Sequence, residues 1–129
     1  LKNLNQFKNE KNIILLHCVS MYPLDEKNAN FDKFLYLKSN FKNVGYSGHC
    51  RGINDSIYAL SLGAYCVEKH FTSSNNLDGR DNKFAILPNE LKDLTNFINN
   101  REMMLESTGM GYNSMEEDSR NNYAGRFDK

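Results

Sequence analysis

Apolar and polar positions follow two rhythms along this chain. Ile13-Ile14-Leu15-Leu16-His17-Cys18-Val19 is an almost continuous apolar run. A run of that length without alternation predicts a strand covered on both faces, as in parallel sheets. Before it, residues 1–11 are polar with Leu4 and Phe7 at helical spacing, which predicts the tail of a helix. After it, residues 30–40 carry Phe31, Phe34, Leu35 and Leu37 on one helical stripe. Residues 42–46 predict a second strand around Val44. Arg51-Gly52 is a turn, and Asn54 or Asp55 is placed to cap a helix through Ile57, Tyr58, Leu60 and Leu62 that Gly63 ends. Residues 64–69 predict a third strand, and residues 73–83 a polar loop. Leu87-Pro88-Asn89-Glu90 then opens a long helix, with Pro88 suited to its first turn. The stripe of that helix is Leu91, Leu94, Phe97, Ile98, Met104 and Leu105, and Gly109 and Gly111 stop it.

The order is therefore β-α-β-α-β-α with short connections, which implies a parallel sheet with right-handed crossovers. Ser20, Tyr22, Ser47, His49, His70 and Asp81 all follow the C-terminal ends of strands, where α/β folds place their sites. His49 and His70 end two neighbouring strands. Neutral imidazoles placed side by side at one mouth of a sheet can share a metal ion. His17 lies inside the first strand and reads as a satisfied core histidine. Pattern alone leaves two architectures open, a piece of a (β/α)8 barrel and a small open sheet.

Composition narrows the partners. The chain has 129 residues, enough for one small domain. Its 16 basic and 16 acidic residues balance, which argues against nucleic acid or an anionic membrane as the main partner. Cys18, Cys50 and Cys66 are odd in number and form no Cys-x-x-Cys pair, so reduced thiols in a cytoplasmic protein are expected. No stretch of the sequence reads as a signal peptide, and no apolar run in it is long enough to cross a bilayer. The chain begins with Leu1 and not Met, as a piece of a longer protein would.

Four blocks carry a family likeness: His17-Cys18-Val19-Ser20-Met21-Tyr22-Pro23, Val44-Gly45-Tyr46-Ser47-Gly48-His49, Glu68-Lys69-His70-Phe71-Thr72 and Gly79-Arg80-Asp81-Asn82-Lys83. In this order and at these gaps they resemble the sialic acid synthase family, from about Ile13 to about Leu105. The resemblance implies the last three βα units of a (β/α)8 TIM barrel in residues 1–109. Residues 110–129 would be a polar helix or linker marked by Glu116, Glu117, Asp118, Arg120 and Arg126. It also implies condensation of phosphoenolpyruvate with N-acetylmannosamine or a related amino sugar, giving a sialic-type acid and phosphate. Precursors of legionaminic or pseudaminic acid are alternative substrates. A homodimer is common in the family.

The resemblance assigns roles residue by residue. His49 and His70 match the ligands of a divalent metal, manganese first, with magnesium or cobalt as alternatives, that polarises the sugar aldehyde. Ser47 and Ser20 match residues near phosphoenolpyruvate, and Tyr22 and Asp81 match residues that contact the amino sugar. An ordinary loop serine competes for Ser20, and rim packing for Tyr22. Glu68 shares a strand face with His70 and is grouped with the two histidines as a catalytic residue that orients a ligand or pairs with a lysine. Lys69 then points to the helices and is structural.

The chain also departs from the family. Gly48 stands where many members have Asp, although animal-type enzymes carry Gly, and Arg80 replaces a common proline. Arg80, Lys83, Cys50 and Arg51 receive no role. The rivals are a non-catalytic sugar- or phosphate-binding module and a partial reading frame. The latter would have open strand edges and, alone, be inactive and poorly soluble.

Overall fold

The computed structural model describes residues 2–8, 10–123 and 125, so Arg126 lies outside the described residues. The strands are β1 (Leu15–Cys18), β2 (Val44–Gly48) and β3 (Val67–Lys69), and the helices are α1 (Phe31–Asn40), α2 (Asn54–Ser61), α3 (Pro88–Leu105) and α4 (Glu117–Tyr123). Short 3-10 turns cover Lys2–Phe7, Glu26–Asn28, Asp81–Lys83 and Ser114–Glu116. The expected helix tail at the start of the chain is thus the first of these tighter turns.

The strands form one parallel sheet in the order β1-β2-β3. Its register aligns Cys18 with Ser47 and Ser47 with Glu68, and on the alternate row His17 with Tyr46 and Tyr46 with Val67. Because side chains alternate, these rows belong to opposite faces. The His17–Tyr46–Val67 face carries the helices. Phe34 and Leu37 of α1, Ala59 of α2, and Phe41, Val44, Tyr46 and Ala64 form its buried core. Phe31 stacks on Tyr46 at 5.1 Å between ring centroids. His17 is buried there, with Nε2 donating to the Ala29 carbonyl at 2.8 Å. It is the satisfied core histidine expected.

The opposite face carries Leu16, Cys18, Ser47 and Glu68. Ile14 and Leu16 remain about two-fifths exposed, at 40% and 38%. The two-sided covering predicted from the apolar run is therefore not observed among the described residues, because α1 and α2 both pack on the other face. The strands are also shorter than the apolar runs that announce them. Pairing extends before β3 all the same, since Tyr65 N donates to Val44 O at 2.8 Å and Tyr46 N to Cys66 O at 3.0 Å.

Two helix ends differ from expectation. Ile53, not Asn54 or Asp55, is the N-cap of α2, and it makes no side-chain cap bond. Gly63 ends α2 as expected, with φ of +83° that suits a residue lacking Cβ. In α3, Glu90 accepts a bond from Leu87 N at 2.8 Å, closing the first turn around Pro88. Of its predicted stripe only Leu94 is fully buried, and Met104 at 84% and Leu105 at 61% stand in solvent.

Candidate functional site

β2 ends at Gly48 and β3 at Lys69, so His49 and His70 are each the first residue past a strand. Neighbouring parallel strands that stop level with one another bring these side chains together. Their ring centroids lie 5.4 Å apart at 51°. Beneath them, Ser47 Oγ donates to Glu68 Oε1 at 2.6 Å, joining the two strands one row down on the same face. Ser47, His49, Glu68, Lys69 and His70 line a cleft of about 250 Å³.

His49 is held firmly. It is buried, and its Nδ1 lies 2.9 Å from the Val19 carbonyl. A carbonyl only accepts, so Nδ1 carries the proton and the Nε2 lone pair is left available. His70 is partly exposed, with Phe84 packed at 5.1 Å and Tyr22 at 6.0 Å between centroids. Tyr22 also sits 4.3 Å from the His49 ring, so one tyrosine roofs both imidazoles. Asp81 Oδ2 approaches His70 Nδ1 at 3.8 Å, within ion-pair range and beyond hydrogen-bond range.

The chain folds back to put Asp81 and Phe84 there. Ile86 N donates to His70 O at 2.8 Å, and Thr72 N to Ile86 O at 3.0 Å. Asn75 Nδ2 gathers the carbonyls of Asn82 at 2.6 Å and Ala85 at 2.9 Å. The polar loop is thus a closed flap whose root is pinned beside His70. Arg51 adds a second tie through a donated bond to the Lys83 carbonyl at 2.5 Å. That is a structural account of Arg51 that the sequence did not offer.

Of the residues singled out from sequence, the structure brings His49, His70, Ser47, Glu68, Tyr22 and Asp81 to one mouth of the sheet. Ser20 stays at the margin. It is exposed, and its Oγ lies 3.9 Å from Cys18 Sγ, which in turn lies 3.9 Å from His49 Nδ1. Lys69 points to the helices, as alternation predicts, and its side chain is only 5% exposed.

Sequence reasoning missed what Lys69 meets there. Its Nζ donates to Asp55 Oδ1 at 3.1 Å and to the Cys50 carbonyl at 2.6 Å. Strand alternation gave the direction of Lys69, but nothing local links it to a carboxylate one helix away. Close to this pair, burial and then the Asp55 charge push the Cys50 thiol up to about 11. Burial and then Asp55 also raise the Tyr46 phenol well above its ordinary range. Burial, with Glu68 second, raises the Cys66 thiol. Cys50 therefore stays a neutral thiol, packed with Leu24 and Ala29.

The donor set bears on a metal. The rings of His49 and His70 supply two imidazole donors, and no group of three or more His, Cys, Asp or Glu converges among the described residues. Two imidazoles alone make an incomplete set, which leaves the remaining positions of a bound ion to oxygen donors and does not form a closed structural zinc site. His49 and His70 thus fit a shared, partly open divalent site.

The chain is similar to known proteins in sequence and in fold. The sequence model of the NeuB family matches residues 2–110. Over 85 residues, 65% of this chain and 25% of the relative, the sequence is 47% identical to N,N'-diacetyllegionaminic acid synthase of Campylobacter jejuni. Over 88 residues, 67% of this chain and 24% of the relative, it is 44% identical to N-acetylneuraminate-9-phosphate synthase of Drosophila melanogaster. The chain spans about a quarter of the length of these curated relatives. Among solved structures it resembles an N-acetylneuraminic acid synthetase from Leptospira borgpetersenii, with a TM-score of 0.69 and 35% identity over 85% of this chain and 40% of that one.

Proposed function

The chain belongs to the NeuB family, and on that premise we propose that it supplies one wall of the active site of a synthase of sialic-type acids. The reaction joins phosphoenolpyruvate to N-acetylmannosamine or a related amino sugar, with a legionaminic or pseudaminic acid precursor as the alternative substrate. One carbon–carbon bond forms between the enol carbon and the sugar's aldehyde carbon. Water adds to the neighbouring carbon, and a carbon–oxygen bond breaks to release phosphate.

The observation that carries this reading is the pair of imidazoles at adjacent strand ends, with a Ser–Glu bridge one row beneath. His49 and His70 would hold a divalent ion, manganese first, which when bound supplies a Lewis acid toward the sugar's carbonyl oxygen. Val19 O accepts from His49 Nδ1, which leaves Nε2 as the nitrogen that would ligate the ion. Glu68 holds the Ser47 hydroxyl, and that hydroxyl can turn to donate to an oxyanion of phosphoenolpyruvate. Tyr22 presents a ring face and a hydroxyl over the imidazoles. Asp81 stands at the flap, where a carboxylate accepts bonds from sugar hydroxyls.

The test is phosphate release by the intact protein from phosphoenolpyruvate, with N-acetylmannosamine, its 6-phosphate or the diacetylated amino sugars. Release that requires both a sugar and a divalent ion is expected. A folded protein that releases no phosphate with any of these sugars would overturn the synthase in favour of a binding module.

A further inference from the structure

Behind the histidines, on the helix side of the sheet, lies a buried ion pair that the proposed chemistry leaves unused. The Lys69 and Asp55 side chains are 5% and 2% exposed. Their neighbours in the chain matter most. Lys69 directly precedes His70, and Cys50 directly follows His49. Lys69 Nζ donates to Cys50 O at 2.6 Å and to both Asp55 oxygens, at 3.1 and 3.3 Å. Asp55 Oδ2 accepts from Cys50 N at 3.3 Å and from the Tyr46 hydroxyl at 3.3 Å, while Oδ1 accepts from Ser56 N at 2.8 Å. One ion pair therefore grips the backbone after His49 by both its N–H and its C=O, and the lysine that does so is the residue before His70.

Gly48 completes the arrangement. A Cβ there would fall 2.6 Å from Asp55 Oδ2, 2.9 Å from Tyr46 Cε1 and 3.0 Å from Lys69 Cδ. Its φ is not in the left-handed region, so space and not backbone freedom explains the glycine. The carboxylate of Asp55 occupies the volume that a side chain at position 48 would fill. Stability alone is a weak reason for such a pair, because a well-packed apolar replacement is often as stable.

We propose that Asp55, locked by Lys69, is the positioning residue that sets the separation of His49 and His70. This inference rests on the two-histidine metal site proposed above. Changing residues that orient metal ligands lowers metal affinity by about 10- to 100-fold.

The test is a titration of the intact protein with Mn2+, followed by the electron paramagnetic resonance signal of the free ion, with a thermal melt on each sample. Asp55→Asn and Lys69→Met are expected to weaken Mn2+ binding by about 10-fold or more in folded protein. Restoring the carboxylate from the other side, as Gly48→Asp in an Asp55→Ala background, is expected to recover most of that loss. Gly48→Asp alone should not help, because the space is taken. Should Asp55→Asn not fold, Gly48→Ala puts the same question by pushing the carboxylate aside, with the same loss expected. Folded Asp55→Asn or Gly48→Ala that binds Mn2+ within about twofold of the unaltered protein overturns the inference and leaves the metal site standing. An unaltered protein that binds no Mn2+ overturns both.

Discussion

The two faces of the sheet hold residues that are neighbours in sequence and opposites in chemistry. Tyr46 is 1% exposed and stacks on Phe31, whereas Ser47, one position on and also buried, lines the cleft. The Lys69 ammonium is held in a buried ion pair, whereas Glu68 bonds Ser47 and His70 packs beside Tyr22 on the other face. Among the described residues, Ser56 Oγ on α2 is the one buried side-chain polar atom without a hydrogen-bond partner. On the cleft face, His49 is anchored through Nδ1 and Glu68 through Oε1, each by one atom of its polar group. The difference teaches how so short a segment can be both scaffold and site: the period of two assigns alternate residues to each task.

That division can be broken by mutation. The largest loss is expected from Phe34→Ala, which empties a fully buried site behind the sheet. Denaturant unfolding of the intact protein should show a cost of about 3–5 kcal/mol. Asp55→Ala comes next, at about 3 kcal/mol, because it strands the Lys69 charge in the wall. Adding Lys69→Met to it should recover part of that cost, and additivity would mean the pair is not coupled. On the cleft face the balance should reverse. Ser47→Ala is expected to cost about 1 kcal/mol or less in stability, yet to lower phosphate release by about tenfold or more through the lost bond to a charged group. A stability loss as large as that of Phe34→Ala would mean that Ser47 is scaffold. Thiol labelling sharpens the same contrast: Cys18 is exposed and Cys50 buried, so iodoacetamide should modify Cys18 first in the native protein. The smallest effect is expected from Met104→Ala, within about 0.5 kcal/mol, since that side chain stands in solvent.

Much of this is legible in the sequence. The β-α order, the position of both histidines just past their strands and the outward turn of Lys69 all follow from periodicity. His17 was separable from the other two histidines because it sits inside a strand and not after one. What stayed hidden depends on contacts distant in sequence. Asp55 reads locally as a helix cap, and only the fold reveals that its carboxylate reaches Cys50, Tyr46 and Lys69 instead. Asp81 reaches His70 because Ile86 pairs beside it, which no local signal announces. The apolar run at the first strand suggested cover on both faces, since hydrophobicity reports what a surface seeks and not what meets it. For the same reason the apolar stripe of α3 runs on to Met104 and Leu105, although both are exposed.

The central claim is that His49 and His70 together hold one divalent ion. The most direct measurement is Mn2+ binding to the intact protein and to its His49→Ala and His70→Ala variants, with unfolding curves to show that each remains folded. One site in the unaltered protein, lost in either variant, is the predicted result. A site that survives in both folded variants would contradict the claim.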